Sequence, residues 1–89
     1  MNEIKKYQRN KNCVKTRIQD EHFILDLTTD KYLRLNYEGG YIWDLLETPL
    51  ALEDIIVQIQ KKFNTNDSKI KEIELFLNEC IEIGVFKFE

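Results

Sequence analysis

The stretch Lys31-Tyr32-Leu33-Arg34-Leu35-Asn36-Tyr37-Glu38-Gly39-Gly40-Tyr41-Ile42-Trp43-Asp44-Leu45-Leu46 changes its hydrophobic period in the middle. Up to Leu35 the residues alternate, with Leu33 and Leu35 on one side and Tyr32 and Arg34 on the other, which is the pattern of a strand. From Asn36 onward Ile42, Leu45 and Leu46 recur at i, i+3 and i+4 with Trp43 beside them, which is helical spacing, and Asn is a favoured N-cap. Gly39 and Gly40 fall in the first turn of that helix, where each costs about 1 kcal/mol relative to Ala, so the pair suggests close backbone packing at the helix start.

Upstream of this junction the chain keeps period two. Val14, Thr16 and Ile18 alternate with Lys15, Arg17 and Gln19, and Phe23, Leu25 and Leu27 alternate with His22, Ile24 and Asp26. Each run reads as a strand with one buried face, and Thr28, Thr29 and Asp30 supply a turn. The short connections predict an antiparallel meander of three strands. Downstream, Thr48 and Pro49 end the first helix, and a second runs from about Leu52 to Phe63 on the stripe Leu52, Ile55, Ile56, Ile59, Phe63. After Asn64-Thr65-Asn66 a third helix, capped by Asp67 or Ser68, carries Ile70, Ile73, Leu77, Cys80 and Ile81 on one stripe and Phe76 on its flank. Gly84 sits at the C′ position, and Val85 to Phe88 read as a closing tail or short strand. The expected fold is α+β and winged-helix-like, an N-terminal three-stranded antiparallel sheet followed by three helices over 13–89, with 1–12 as a flexible N-terminal arm.

Composition limits what such a chain can do. Its 89 residues allow one domain, and 29 of them are Leu, Ile, Val or Phe, enough apolar side chain for a core. No apolar run reaches the ~18 residues of a membrane span, and no apolar segment follows the charges of the first seven residues, so no membrane association and a cytoplasmic location are expected. Cys13 and Cys80 lie far apart and His22 stands alone, so no metal site and no cofactor are expected. No nucleophile with its base and no phosphate-binding glycine pattern is present, while Glu72, Glu74, Glu79 and Glu82 are spaced like a solvated helix face; an enzyme is not expected. The charge of −3 is uneven, with six Lys/Arg against Glu3 alone in residues 1–17. Residues 67–83 hold Lys69 and Lys71 against five carboxylates, which argues against a groove-binding helix, because DNA binding needs a cationic surface that displaces counterions. A winged-helix DNA-binding protein is the alternative from a different class.

Binding of a peptide is what the pattern favours. The third strand, 31–35, lies at the edge of the meander, and an edge with unpaired backbone groups accepts an added strand. Tyr32 and Arg34 are side-chain types enriched at binding hot spots.

The run Ile24-Leu25-Asp26-Leu27, then Lys31-Tyr32-Leu33-Arg34-Leu35-Asn36, then Gly39-Gly40-Tyr41-Ile42-Trp43-Asp44-Leu45-Leu46, with the later Glu72-Ile73-Glu74-Leu75-Phe76-Leu77 and Gly84-Val85, resembles the PqqD-like family over about residues 14–86. The resemblance implies a recognition element for the leader of a ribosomally made precursor peptide. In that family the leader adds to the third strand and lies against the third helix. It further implies peptide contacts from Tyr32, Leu33 and Arg34 on the strand and from Lys69, Glu72, Ile73 and Phe76 on the helix. The chain is most similar to the stand-alone recognition component of lasso-peptide biosynthesis, whose partners are a leader peptidase and a macrolactam-forming cyclase; the alternative within the family is a peptide chaperone for a radical-SAM maturase. Glu72 stands where the family commonly has Asp, Ala51 where a Ser or Thr cap is common, and Cys80 where Leu is usual.

Overall fold

A computed structural model describes residues 4–89. The meander is present as β2 (Cys13–Ile18), β3 (Glu21–Asp26) and β4 (Tyr32–Leu35), in the spatial order β2-β3-β4 and antiparallel throughout. The three helices follow as α1 (Tyr37–Leu45), α2 (Leu52–Lys62) and α3 (Asp67–Glu82). The fold is α+β, as expected.

A second sheet accompanies the first. β1 (Lys6–Arg9) lies between β5 (Leu50–Ala51) and β6 (Phe86–Phe88), antiparallel to both. The expectation of a flexible arm over 1–12 is therefore corrected for Lys6–Arg9, and residues 1–3 of that arm lie outside the described residues. The physical reason is a set of long-range anchors that leave no periodic trace in so short a segment. Tyr7 is buried and its ring lies 4.9 Å from Phe88. The Arg9 guanidinium donates two hydrogen bonds to the Trp43 carbonyl, at 2.8 and 2.6 Å, and stacks 4.6 Å from the Trp43 ring. Asn10 donates its backbone N–H to Val85 and its side-chain amide to Gly84.

Which face of the meander is buried also differs from the expectation for the first two strands. Ile24, Leu33 and Leu35 point to the core, whereas Val14 and Ile18 are 39% and 58% exposed on the outer face with half-buried Phe23 and Leu25. The pairing Lys15↔Ile24↔Leu33 puts these three side chains on one face, and the buried strand residue Leu35 selects that face for the core. Lys15 is carried to the core side with it and pairs there with Asp44 at 2.8 Å.

The helix termini follow side-chain chemistry. Asn36 caps α1 by accepting from the Gly39 N–H at 2.7 Å. α3 is capped by Asn66, which accepts from the Lys69 N–H at 2.9 Å, and not by Asp67 or Ser68. The Asn66 amide oxygen reaches that N–H from extended backbone just outside the helix, the geometry a cap requires. Ala51 precedes α2 with no side-chain cap, and Glu53 and Asp54 in the first turn with Lys61 and Lys62 in the last complement the helix dipole instead. Gly84 has φ +85, the left-handed conformation that closes a helix at glycine.

The core joins all layers: Ile24 and Leu35 from the meander, Ile42 and Leu46 from α1 and the residue after it, Ile55 and Ile59 from α2, Leu77 and Cys80 from α3, and Phe86 from β6. Cys13 and Cys80 are free and buried. Burial, and secondarily the charge of Glu79, pushes the Cys80 thiol from 9.0 up to about 12. Both thiols are expected to resist maleimide in the native chain and to react once it is unfolded in urea. The unfolded Cys80 thiol loses its proton before the folded one. Its stabilising contribution is therefore complete below about pH 9 and is lost as pH rises toward 12, a window in which the urea midpoint should fall.

Candidate functional site

Among the described residues β4 has a neighbour on one side only. Its pairing with β3 sets Leu25↔Tyr32, Ile24↔Leu33, Phe23↔Arg34 and His22↔Leu35, and the Asp26 N–H donates to the Lys31 carbonyl at 2.8 Å. Hydrogen-bonded and non-bonded pairs alternate along an antiparallel ladder, so residues 33 and 35 spend their backbone groups on β3, as does the Lys31 carbonyl, while the Lys31 N–H donates to the Thr29 hydroxyl. Tyr32 and Arg34 then aim theirs outward, two N–H donors and two carbonyl acceptors in a row. Unpaired groups of this kind are the chemical requirement for strand addition.

The open edge looks onto α3 across a groove. Its centre, about 380 Å³, lies between Leu33, Leu35 and Asn36 on one side and Phe76 and Glu79 on the other. At the Asn36 end it continues into a small recess walled by Gly39, Ile42, Glu72, Ile73 and Phe76. At the opposite end, by the β3–β4 turn, Ile83 and Val85 face Lys31 and Tyr32 in a mainly apolar pocket. α3 thus runs antiparallel to β4, and its residues 72, 76 and 79, with Ile83 just past its end, present one flank along the groove.

Gly39 keeps the recess open. A Cβ there would lie 3.0 Å from the Asn36 cap oxygen and 3.1 Å from the Phe76 ring, so glycine lets the ring pack against the helix start. The expectation of close packing holds for Gly39 only, because a Cβ on Gly40 would meet nothing within 4 Å. Phe76 is half-buried and set edge-on to Phe86, with ring centroids 6.4 Å apart.

The residues singled out by sequence divide into three groups. Leu33 and Phe76 face each other across the groove. Tyr32 and Arg34 contribute the open backbone, but their side chains lie on the outer face: Tyr32 is 72% exposed and packs edge-on against Phe23, and Arg34 pairs with Glu21 at 2.8 Å. On the helix, Ile73 is 3% exposed and belongs to the core even though it reaches the recess, so changing it would test folding before binding. Lys69 bridges Glu72 at 3.0 Å and Glu38 at 3.1 Å, and the hydrogen bonds its ammonium donates, first to Glu72 and then to Glu38, hold its pKa above the ordinary lysine value. This clamp ties α3 to α1 at the head of the groove.

Sequence reasoning missed Leu35, Asn36, Gly39, Glu79 and Ile83 as groove residues. Glu79 and Ile83 could have been found by continuing the flank of Phe76 by three and seven residues, which is the helical repeat. A second, wider cleft between the meander and α1 is lined by charges that pair with one another, Lys15 with Asp44 and Arg34 with Glu21. Among the described residues no three His, Cys, Asp or Glu side chains gather to hold a metal, and no helix is long and apolar enough to cross a membrane.

Comparison with known proteins bears on this groove. The family described as "Coenzyme PQQ synthesis protein D (PqqD)" matches residues 21–85, which take in β3 and β4 of the meander, all three helices and both walls of the groove. A solved structure, "TbiB1 in Complex with the TbiA(beta) Leader Peptide", superposes with a TM-score of 0.74 at 25% sequence identity, covering 89% of this chain and 93% of that one. No curated protein matches the sequence.

Proposed function

Because this chain belongs to the PqqD family, we propose that it is a non-catalytic module that captures the leader segment of a ribosomally made precursor peptide. The leader adds as a strand to residues 31–35 and docks against α3, and Tyr32, Leu33, Arg34, Lys69, Glu72, Ile73 and Phe76 form or brace its site. The unpaired backbone of Tyr32 and Arg34 beside the α3 groove is the observation that carries this reading. The similarity to a protein solved with a leader peptide supports it.

The energetics are adequate. Four main-chain hydrogen bonds contribute about 1 kcal/mol net each. Two or three apolar side chains lodged against Leu33, Phe76 and Ile83 add about 1.5–3 kcal/mol apiece. Against these stands the ordering of a short segment, which leaves an affinity near micromolar. A module of that strength holds a precursor long enough to present it and still releases it. The partners it serves are a cytoplasmic leader peptidase and lasso cyclase. The family's description as a coenzyme synthesis protein favours the second reading, a chaperone for a radical-SAM maturase.

The test titrates the intact chain with the fluorescent leader of any short precursor found encoded next to it, and separately with duplex DNA. Saturable leader binding that shifts the amide resonances of Tyr32 and Arg34 is expected. Salt-sensitive duplex binding with no response to leader would overturn the proposal, and the enzymes encoded alongside decide between the two readings.

A further inference from the structure

We infer that the groove selects a strand carrying a Lys or Arg two residues from an apolar anchor, and that Glu79 is the residue that reads the charge. The inference rests on the strand-addition reading above and concerns what kind of peptide that site prefers.

The charges around the groove are unequal in what they have left to offer. Lys69 is held by Glu38 and Glu72, and Arg34 by Glu21. Glu79, exposed on the groove wall beside Phe76 and opposite Leu33, makes no ion pair and accepts no side-chain hydrogen bond among the described residues. At the far end Asp26 and Asp30 outnumber Lys31. A ligand strand therefore meets an uncommitted carboxylate in a site of net negative character, and a cation completes it while an acidic residue is repelled.

Geometry places the cation. In an added antiparallel strand, residues opposite Leu33 and Leu35 point to the same face as those leucines, toward α3, while those opposite Tyr32 and Arg34 point away. The inward positions are two residues apart, roughly 6.8 Å along the strand. On α3, Phe76 and Glu79 are three residues apart, roughly 4.5 Å along the axis. The roughly 2 Å difference is within the reach of a flexible lysine or arginine stem. The inward residue at the Leu35 end meets the Phe76 ring, and the next inward residue, opposite Leu33, meets Glu79. In the antiparallel orientation the preferred ligand reads, from its N-terminal side, apolar, any, basic. A further inward residue then reaches the apolar pocket at Ile83 and Val85.

The test selects randomised short peptides from a display library on the immobilised intact chain and on its Glu79→Lys variant. Glu79 is exposed and forms no side-chain pair among the described residues, so the variant is expected to fold, which circular dichroism checks. The native chain should enrich Lys or Arg two residues from an apolar position. The variant should replace that preference with Asp or Glu and keep the apolar position. A selected basic peptide should bind Glu79→Gln about two- to fivefold and Glu79→Lys about tenfold more weakly, and should lose affinity as salt is raised. Peptides that shift the Tyr32 and Arg34 amides but show no basic preference, or the same preference in both proteins, would overturn the inference and leave strand addition standing. Selected peptides that leave those amides unmoved would overturn both.

Discussion

Arg34→Pro is expected to weaken leader binding roughly a hundredfold while leaving the chain folded. Arg34 is one of the two β4 residues whose N–H faces away from β3, so removing that hydrogen deletes no bond of the existing ladder. Proline is tolerated on edge strands for this reason. The side chain lost is an exposed partner of Glu21, a pair worth no more than about 1 kcal/mol. For an added strand the consequences are larger. One carbonyl of the leader loses its donor, a penalty of about 1–3 kcal/mol, and the proline ring occupies the place where that carbonyl would approach. A total near 3 kcal/mol moves a micromolar complex roughly a hundredfold, toward 100 μM. Anisotropy titration with the labelled leader reads the effect, and thermal melting confirms that the fold persists. Native-like affinity in a folded Arg34→Pro chain would show that the leader does not pair with this edge.

Phe86→Ala is expected to cost about 3–5 kcal/mol of stability, the range for removing a buried aromatic ring. Phe86 is 1% exposed and lies where the small sheet, α1 and α3 meet, stacked 6.0 Å from Trp43 and set edge-on 6.4 Å from Phe76. Few neighbours can close the hole, because Trp43 is pinned through its carbonyl by Arg9 and Phe76 is hemmed in by Gly39. For a domain of this size, whose total stability is of the order of 5–10 kcal/mol, such a loss leaves a substantial unfolded fraction near physiological temperature. Urea denaturation of the two proteins measures it. A change below about 1 kcal/mol would mean that Phe76 and Trp43 repack freely and that the groove wall is not braced from below.

The legible part of the fold was the part with long periodic runs. Leu33 and Leu35 against Tyr32 and Arg34 marked β4 and its faces, and Ile55, Ile59, Ile73 and Leu77 marked the helical stripes that the core confirms. Of the second sheet only the closing strand at Phe86–Phe88 was legible, as the short strand expected over Val85 to Phe88; β1 and β5 have four and two residues, too short for period two to declare itself. Their pairing joins segments from opposite ends of the chain, which no local pattern reports. The buried face of β2 was misread because alternation shows that two faces differ, not which one the helices will cover. Val14 and Ile18 looked like core, and the register set by Ile24 and Leu33 turned them to the outer face and left the exposed Lys15 on the core side of the sheet. At the groove, Leu33 and Phe76 followed from the pattern. Gly39 was suspected for the right reason, since its missing Cβ makes room for a ring 37 residues away in sequence. Ile73 shows the converse difficulty: one helix position can belong to the core and touch the recess, and spacing does not separate the two.

The Glu89 N–H donates to the Lys6 carbonyl at 2.9 Å, so the first strand and the last residue emerge side by side on the small sheet, whereas the open edge belongs to the other sheet. A domain grafted before residue 6 or after residue 89 would therefore hang from the same corner of the molecule. Either fusion order would leave β4 uncapped, and the same adjacency makes the chain a natural substrate for circular permutation through a short bridging loop.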